Sequence, residues 1–325
     1  MKIHELYKEW LPDKKRLVKP STLATYVVTF EKNILPFFGD MEYDDLKMKD
    51  VQRFVDEKLS AGYSHKSIKD MVVCIKMLLN YAVDELEMKP VPGKRIMRYP
   101  EETIKKDFEA YTDSEQKKLM SYFISNPSFE HLGMMITLCS GVRIGEITAL
   151  QFKDIDLDSR TMKIEKTLER IYSIDSDGHR KGTQLVIQTP KSLSSRREIP
   201  LPKEIINILK KSSALVIGDY FVCSGNAKPI EPRVYRLHFN QACKNAGVRV
   251  IKDHGLRHSF ATRMLEKKVD IKTTSTILGH SDVKITMNTY MHVTDNMQQT
   301  VASAMGNLIS EKENEQRSKH IQFTV

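Results

Sequence analysis

Six side chains suited to handling a phosphate are spread between residues 143 and 290 of this 325-residue chain. They are Arg143 in "SGVRIGEITAL", Lys191 in "TPKSLSSRREIPL", His254 and Arg257 in "HGLRHSFAT", and His280 and Tyr290 in "LGHSDVKITMNTY". Each alone has a plainer role. A lone arginine after a glycine caps a helix, a hairpin lysine discourages edge-to-edge pairing, and most tyrosines are half-buried aromatics. Together, two Arg, two His, one Lys and one Tyr make a full set for phosphoryl transfer without a metal: guanidinium forks to bind the phosphate, proton carriers, and a hydroxyl to attack. Glu146, three residues after Arg143, lies near enough on a helix to orient that guanidinium. His254 and Arg257 share a face near a helix N-terminus, where unpaired N–H groups also favour an anion. His258 falls elsewhere on that helix and is read as a structural histidine.

The elements around these residues read as two domains. Residues 1–90 are helical. "STLATYVVTFEKNILPFFGD" starts after Pro20 with Ser21 as N-cap and a stripe of Leu23, Tyr26, Val27 and Phe30. A second helix carries Val51, Phe54, Val55 and Leu59 and stops at Gly62, and a third places Ile68, Met71, Val72, Ile75, Leu78, Leu79, Ala82, Val83 and Leu86 inward. The segment 91–110, rich in Pro and basic residues, reads as an interdomain linker. Residues 111–310 open on a helix that Thr112, Asp113 or Ser114 can cap and continue through a helical run to Leu150. The texture then alternates, with a turn at Asp158 and Ser159. "TQLVIQTPKSLSSRREIPL" reads as two strands joined by a polar turn, and "RIYSIDSDGHRKG" as an exposed hairpin tip or insertion. Helices return after residue 203, with one short strand at "DYFVCS". Residues 311–325 are a polar tail. The fold class is mainly α with two domains, the second mixed α/β with a small antiparallel sheet.

Composition narrows the function. Hydrophobic residues at 40% and charged residues at 29% describe a globular protein with a core. No run approaches the roughly 18 apolar residues of a membrane span, and the N-terminus lacks a secretory signal, so a cytoplasmic location is expected. Neither GxGxxG nor GxxxxGK[ST] occurs, which leaves nucleotide binding unsupported. Cys74, Cys139, Cys223 and Cys243 stand singly and read as buried reduced thiols. The net charge of +9 favours a polyanionic partner. Residues 1–110 hold 20 Lys and Arg against 19 Asp and Glu, a net +1, and the rest hold 31 against 23, a net +8.

The motifs "GVRIGEI", "PKS…RREIPL", "HGLRHSFAT" and "LGHSD", with a tyrosine ten residues after that histidine, closely resemble the tyrosine recombinase family of phage-integrase type. The resemblance covers almost the whole chain and includes an N-terminal SAM-like helical module similar to the family's core-site-binding domain. It implies that Tyr290 attacks a DNA phosphate and displaces the 5′ oxygen, leaving a 3′-phosphotyrosyl link. His254 would assist as general base, Arg143, Arg257 and His280 would hold the nonbridging oxygens, and Lys191 would protonate the leaving oxygen. Glu146 supports. No metal or other cofactor is implied, and the stored phosphotyrosyl bond removes any need for ATP. The implied partners are double-stranded DNA with core sites, further copies of the chain in a tetramer on two duplexes, and an accessory directionality factor, with no membrane. The stretch after Tyr290, with Met297, Val301, Ala304, Met305 and Leu308 at helical spacing, would dock on a neighbouring subunit.

The core-binding helices begin within about twenty residues of Met1, so a simple form lacking an arm-binding domain is expected. Two rival readings keep part of this picture: a type IB topoisomerase-like relaxing enzyme with a similar residue set, and a DNA-binding regulator with an inactive site. A metal-dependent nuclease is weaker for want of carboxylate ligands.

Overall fold

A computed structural model describes residues 1–93, 97–100, 109–190, 193–213 and 218–289. The chain divides into two compact units, residues 1–107 with 169–186, and 108–168 with 187–325.

The first unit opens with α1 (Ile3–Leu17), a helix earlier than the sequence reading placed one. Its stripe of Ile3, Leu6, Tyr7, Trp10 and Leu11 is buried, and the helix runs on past Pro12. Next, α2 (Pro20–Thr29) begins on Pro20 itself, whose fixed φ suits the first helical position. Its N-cap is Lys19, and Ser21, expected as the cap, is buried inside the first turn. A π-helical turn (Phe30–Ile34) leads into α3 (Leu35–Phe38). The stripe packs as expected, with Leu23, Val27 and Phe30 buried and Phe30 5.1 Å from the Trp10 ring. After a 3₁₀ turn (Tyr43–Asp45), α4 (Met48–Ser60) and α5 (His65–Asp84) complete the helical part. Val51, Phe54 and Val55 of α4 meet Ile68, Met71, Val72, Ile75, Leu78, Leu79 and Ala82 of α5 in one core. Ser64 caps α5 by accepting the Ser67 N–H.

The second unit contains α6 (Asp113–Ser125), α7 (Phe129–Ser140), α8 (Ile144–Ala149) and a 3₁₀ turn (Phe152–Asp154). Thr112 caps α6 in a reciprocal box with Glu115. The strands are β1 (Ile155–Asp156), β2 (Thr161–Ile164), β3 (Thr167–Ile174), β4 (Arg180–Gln188) and β5 (Arg197–Pro200), the last preceded by a 3₁₀ turn (Leu193–Ser195). Helices α9 (Lys203–Ser213), α10 (Pro232–Asn245), α11 (Asp253–Glu266), α12 (Ile271–Leu278) and α13 (Val283–Thr289) follow. One antiparallel sheet has the order β1-β2-β5, and β3 pairs with β4 in a separate two-stranded sheet. The stretch expected to form two strands does so, but β4 and β5 do not pair with each other. β5 instead pairs with β2, setting buried Met162 opposite buried Ile199 and Ile164 opposite Arg197. The strand expected at "DYFVCS" is absent; Phe221 makes isolated bridges to Gln151 and Asn226. The four cysteines are free, and burial pushes the Cys223 thiol up to about 12 and the Cys74 and Cys139 thiols up to about 11.

The inserted stretch is a hairpin whose Ser176, Asp177 and His179 are exposed, as expected, but one side of it packs on the first unit. Ile174 lies against the core of the first unit, and Glu31 pairs with Arg180 and stands 3.4 Å from His179. Gly178 has φ +83°, and a Cβ there would stand 2.2 Å from Leu11 Cδ2. The outer hairpin therefore belongs to the first unit although its strands leave from the second in sequence. Gly178→Val is expected to lift the tip off α1 and destabilise this unit by about 1–3 kcal/mol. Hydrogen exchange over residues 171–182 checks this, and wild-type protection in the variant would contradict it.

Candidate active site

Helix α7 ends at Gly141, a left-handed residue at φ +64° and ψ 21°. A Cβ there would fall 2.6 Å from Phe260 of α11 and 2.8 Å from Leu278 of α12, so only glycine lets these helices close on the turn. The chain then reaches Arg143, the N-cap of α8. Glu146, one turn on, accepts the Arg143 backbone N–H at 2.9 Å through Oε2 and Arg143 Nη1 at 2.8 Å through Oε1. The Arg143 side chain remains 36% exposed, while that of Glu146 is 3% exposed.

A second guanidinium shares this carboxylate. Arg197, on β5, donates Nη2 to Glu146 Oε2 at 2.9 Å and Nη1 to Oε1 at 3.2 Å. Burial alone would raise the Glu146 pKa; the Arg197 hydrogen bonds and charge, then those of Arg143, outweigh it and hold the carboxyl below its ordinary range. The sequence reading did not single out Arg197. The signal was present, because alternation along "REIP" puts Arg197 on the same face as Ile199, the inward one.

Helix α12 ends on Gly279 at φ +66°, and its last carbonyls face the same cluster. Three arginines take three successive oxygens: Arg197 Nε donates to Ile277 O, Arg257 Nη2 to Leu278 O at 2.6 Å, and Arg143 Nη2 to Gly279 O at 3.3 Å. Such carbonyls lack helical partners and carry the negative end of the helix dipole, so cations suit them. Arg257, 5% exposed, also donates Nη1 to Gly141 O at 3.0 Å. Arg143, Glu146, Arg257 and His280 are thereby brought together around the ends of α7 and α12.

His280 follows Gly279 directly. Burial lowers its pKa to about 4, helped by the charges of Arg257, Arg143 and Arg197, so the ring is neutral near pH 7. Its Nδ1 lies 2.7 Å from the hydroxyl of Thr286, a fully buried residue that sequence reading also missed. With the proton on Nε2, the hydroxyl donates to Nδ1 and Nε2–H is left for an acceptor. Val283, Ile285 and Met287 of α13 are exposed, and among the described residues of that helix Thr286 is the one turned inward. His254 lies in the first turn of α11, three residues before Arg257, and its side chain is outside the described residues. Lys191 and Tyr290 also lie outside them.

Three guanidiniums against one carboxylate leave a surplus of positive charge beside a neutral imidazole, an arrangement complementary to a phosphate diester. Residues 109–297 match the phage integrase family, and residues 2–59 match its N-terminal SAM-like domain. A XerC-like tyrosine recombinase of Caldanaerobacter subterraneus subsp. tengcongensis is 30% identical over 311 residues, covering 89% of this chain and 78% of the relative. The ICEBs1 integrase of Bacillus subtilis is 23% identical over 90% of this chain and 79% of its own length. In fold, the chain is similar to the Tn1549 transposon integrase solved with circular intermediate DNA, at TM-score 0.71 and 19% identity over 93% of this chain and 99% of that one. A lambda integrase dimer on a core site gives TM-score 0.58 at 17% identity over 89% and 95%. The family match over residues 109–297, joined to a 30% identical relative over nearly the whole chain, makes this protein a member of the phage integrase family of tyrosine recombinases.

Proposed function

We propose that this site-specific DNA recombinase cuts and rejoins DNA through Tyr290, with the arginine cluster on the α12 carbonyls as its phosphate site. The observation that carries the reading is that cluster: Arg143 and Arg257 fixed by backbone oxygens and a buried carboxylate, with Arg143 still partly open. Donors set in place before the reaction stabilise charge that builds on the nonbridging oxygens.

In the proposed reaction the Tyr290 hydroxyl oxygen bonds to phosphorus while the bond to the 5′ oxygen breaks. The tyrosine proton passes to His254, and Lys191 gives a proton to the departing oxygen. His280, neutral and donating from Nε2, adds a hydrogen bond to a nonbridging oxygen. A second 5′ hydroxyl then attacks the 3′-phosphotyrosyl link and returns the electron pair to Tyr290, so ligation reverses cleavage with atoms balanced and no ATP. The first unit would bind core-site DNA, with residues 1–90 as the binding domain, 91–110 as linker and 111–310 as catalytic domain. Lambda integrase has been solved as a tetramer bound to a Holliday junction, which supports a tetramer on two duplexes for this chain. Its relatives also include integrases of phage and transposon origin, such as the Staphylococcus phage L54a integrase, 24% identical over 94% of this chain and 93% of its own length, which supports a mobile-element setting. The recombinase names of these relatives speak against the topoisomerase and regulator readings.

The test is a nicked duplex carrying the cognate core site, selected from random DNA by binding to the full chain. Loss of the short strand beyond the nick traps the intermediate. A denaturation-resistant protein–DNA adduct is the expected result, and no adduct on any selected site would overturn the reading. In the same assay Thr286→Val is expected to slow cleavage about 10-fold by freeing the His280 tautomer, with Thr286→Ser near wild type. Equal rates for the two variants would contradict that role.

A further inference from the structure

We propose that Arg197 is a positioning residue for DNA cleavage, holding Glu146 and the end of α12 so that Arg143 presents its open edge to the phosphate. The inference rests on the recombinase reading of the site.

Arg197 cannot itself meet DNA, because its side chain is only 5% exposed. Its donors go to three separate parts of the chain: both oxygens of Glu146, Ile277 O at the end of α12, and Ser195 O at 2.9 Å in the turn before β5. Glu146 in turn spends both oxygens twice, each accepting once from Arg143 and once from Arg197. The Arg197 fork therefore fixes the plane of the carboxylate, and that plane fixes the direction of Arg143 Nη1. The same side chain also sets the second grip on Arg143. A Cβ on Gly279 would stand 3.1 Å from Arg197 Cδ and Nη1, so the turn bearing the Gly279 carbonyl rests directly on Arg197. A plain stabilising ion pair is a weaker account, since a buried pair seldom outperforms apolar residues of similar volume. What it supplies that apolar residues cannot is direction.

The experiment measures single-turnover cleavage of the saturating nicked substrate by the full chain, with the amplitude giving the active fraction. Arg197→Lys keeps the charge but cannot span both carboxylate oxygens. Its rate constant is expected to fall about 10- to 100-fold, the size of effect a misplaced catalytic group produces, with DNA affinity within about twofold of wild type. Arg143→Lys/Arg197→Lys is expected to cleave as Arg143→Lys alone does, because both changes remove one shared alignment. A purely structural role would lower the amplitude and leave the rate constant in place. The apolar replacement Arg197→Met/Glu146→Leu, built to fold without the ion pair, is expected to be at least as slow as Arg197→Lys. A wild-type rate constant in Arg197→Lys or in the apolar pair, or losses that multiply in the double lysine variant, would overturn the role of Arg197. Absence of any adduct from the wild type would instead overturn the recombinase reading and the inference with it.

Discussion

Tyr290→Phe is expected to bind the selected core site as the wild type does and to form no covalent adduct with it, a loss on the order of 10⁴-fold or more. Phenylalanine keeps the ring and removes only the oxygen that would bond to phosphorus. A tyrosine hydroxyl, with a reference pKa of about 10, needs both a proton acceptor and a cationic neighbourhood to attack. The arginine cluster supplies the second: Arg143, Arg197 and Arg257 are held by Glu146 and by the carbonyls of Gly141, Ile277, Leu278 and Gly279. Phosphate contacts and the salt dependence of binding should therefore survive the substitution. Electrophoresis under denaturing conditions, with a filter-binding titration beside it, separates the two effects. An adduct persisting in Tyr290→Phe would place the nucleophile on another side chain, and peptide mapping of that adduct would identify it.

What the sequence made legible was local. Thr112 and Glu115 lie three residues apart, and the box they form needs no distant partner. The same holds for Arg143 with Glu146, and for the stripe of α5, where seven of the nine positions read as inward are buried. The misses have longer range. Nothing near Arg197 tells that its charge is matched by Glu146, 51 residues earlier, since that pairing follows from β5 choosing β2 rather than β4. The hairpin tip reads as exposed, and Ser176 and Asp177 are, but nothing in these turn residues tells that Gly178 and Arg180 pack on the first unit. Leu11 and Glu31, which receive them, are more than 140 residues away. Helix α13 shows the converse. Its Val283, Ile285 and Met287 are apolar yet exposed, while the polar Thr286 is fully buried and lies 2.7 Å from His280 Nδ1. The opening helix, with its buried stripe from Ile3 to Leu11, carries Pro12 inside it, a residue that ordinarily ends a helix.

The geometry also explains how three arginines far apart in sequence come together. Each arginine is carried by a different element, β5, α8 or α11, and all three converge on the C-terminal end of one short helix. That end offers three outward carbonyls in a row, so α12 works as a template for charge. Like charges brought this close repel, and they lower further the His280 pKa that burial already depresses. Glu146 is what makes the arrangement stable before DNA arrives.

Glu146→Leu is accordingly expected to destabilise the second unit by about 3–5 kcal/mol, the usual cost of removing one partner of a buried ion pair. The leucine fills the volume, but Arg197 stays buried without its counter-charge and Arg143 loses two acceptors. Glu146→Gln isolates the charge from the shape, and its pH dependence has a definite sign. The folded pKa of Glu146 lies below its ordinary 4.5, so ionisation favours the folded state. The wild type's advantage over Glu146→Gln is then full above about pH 4.5. It narrows as pH falls below that value and is lost once pH passes through the folded pKa. Urea titrations of both proteins from pH 7 downward check this, scored on the second unit by hydrogen exchange. Equal stability at pH 7 would mean that the carbonyls of α12 hold the three guanidiniums unaided, and that the carboxylate serves only to aim them.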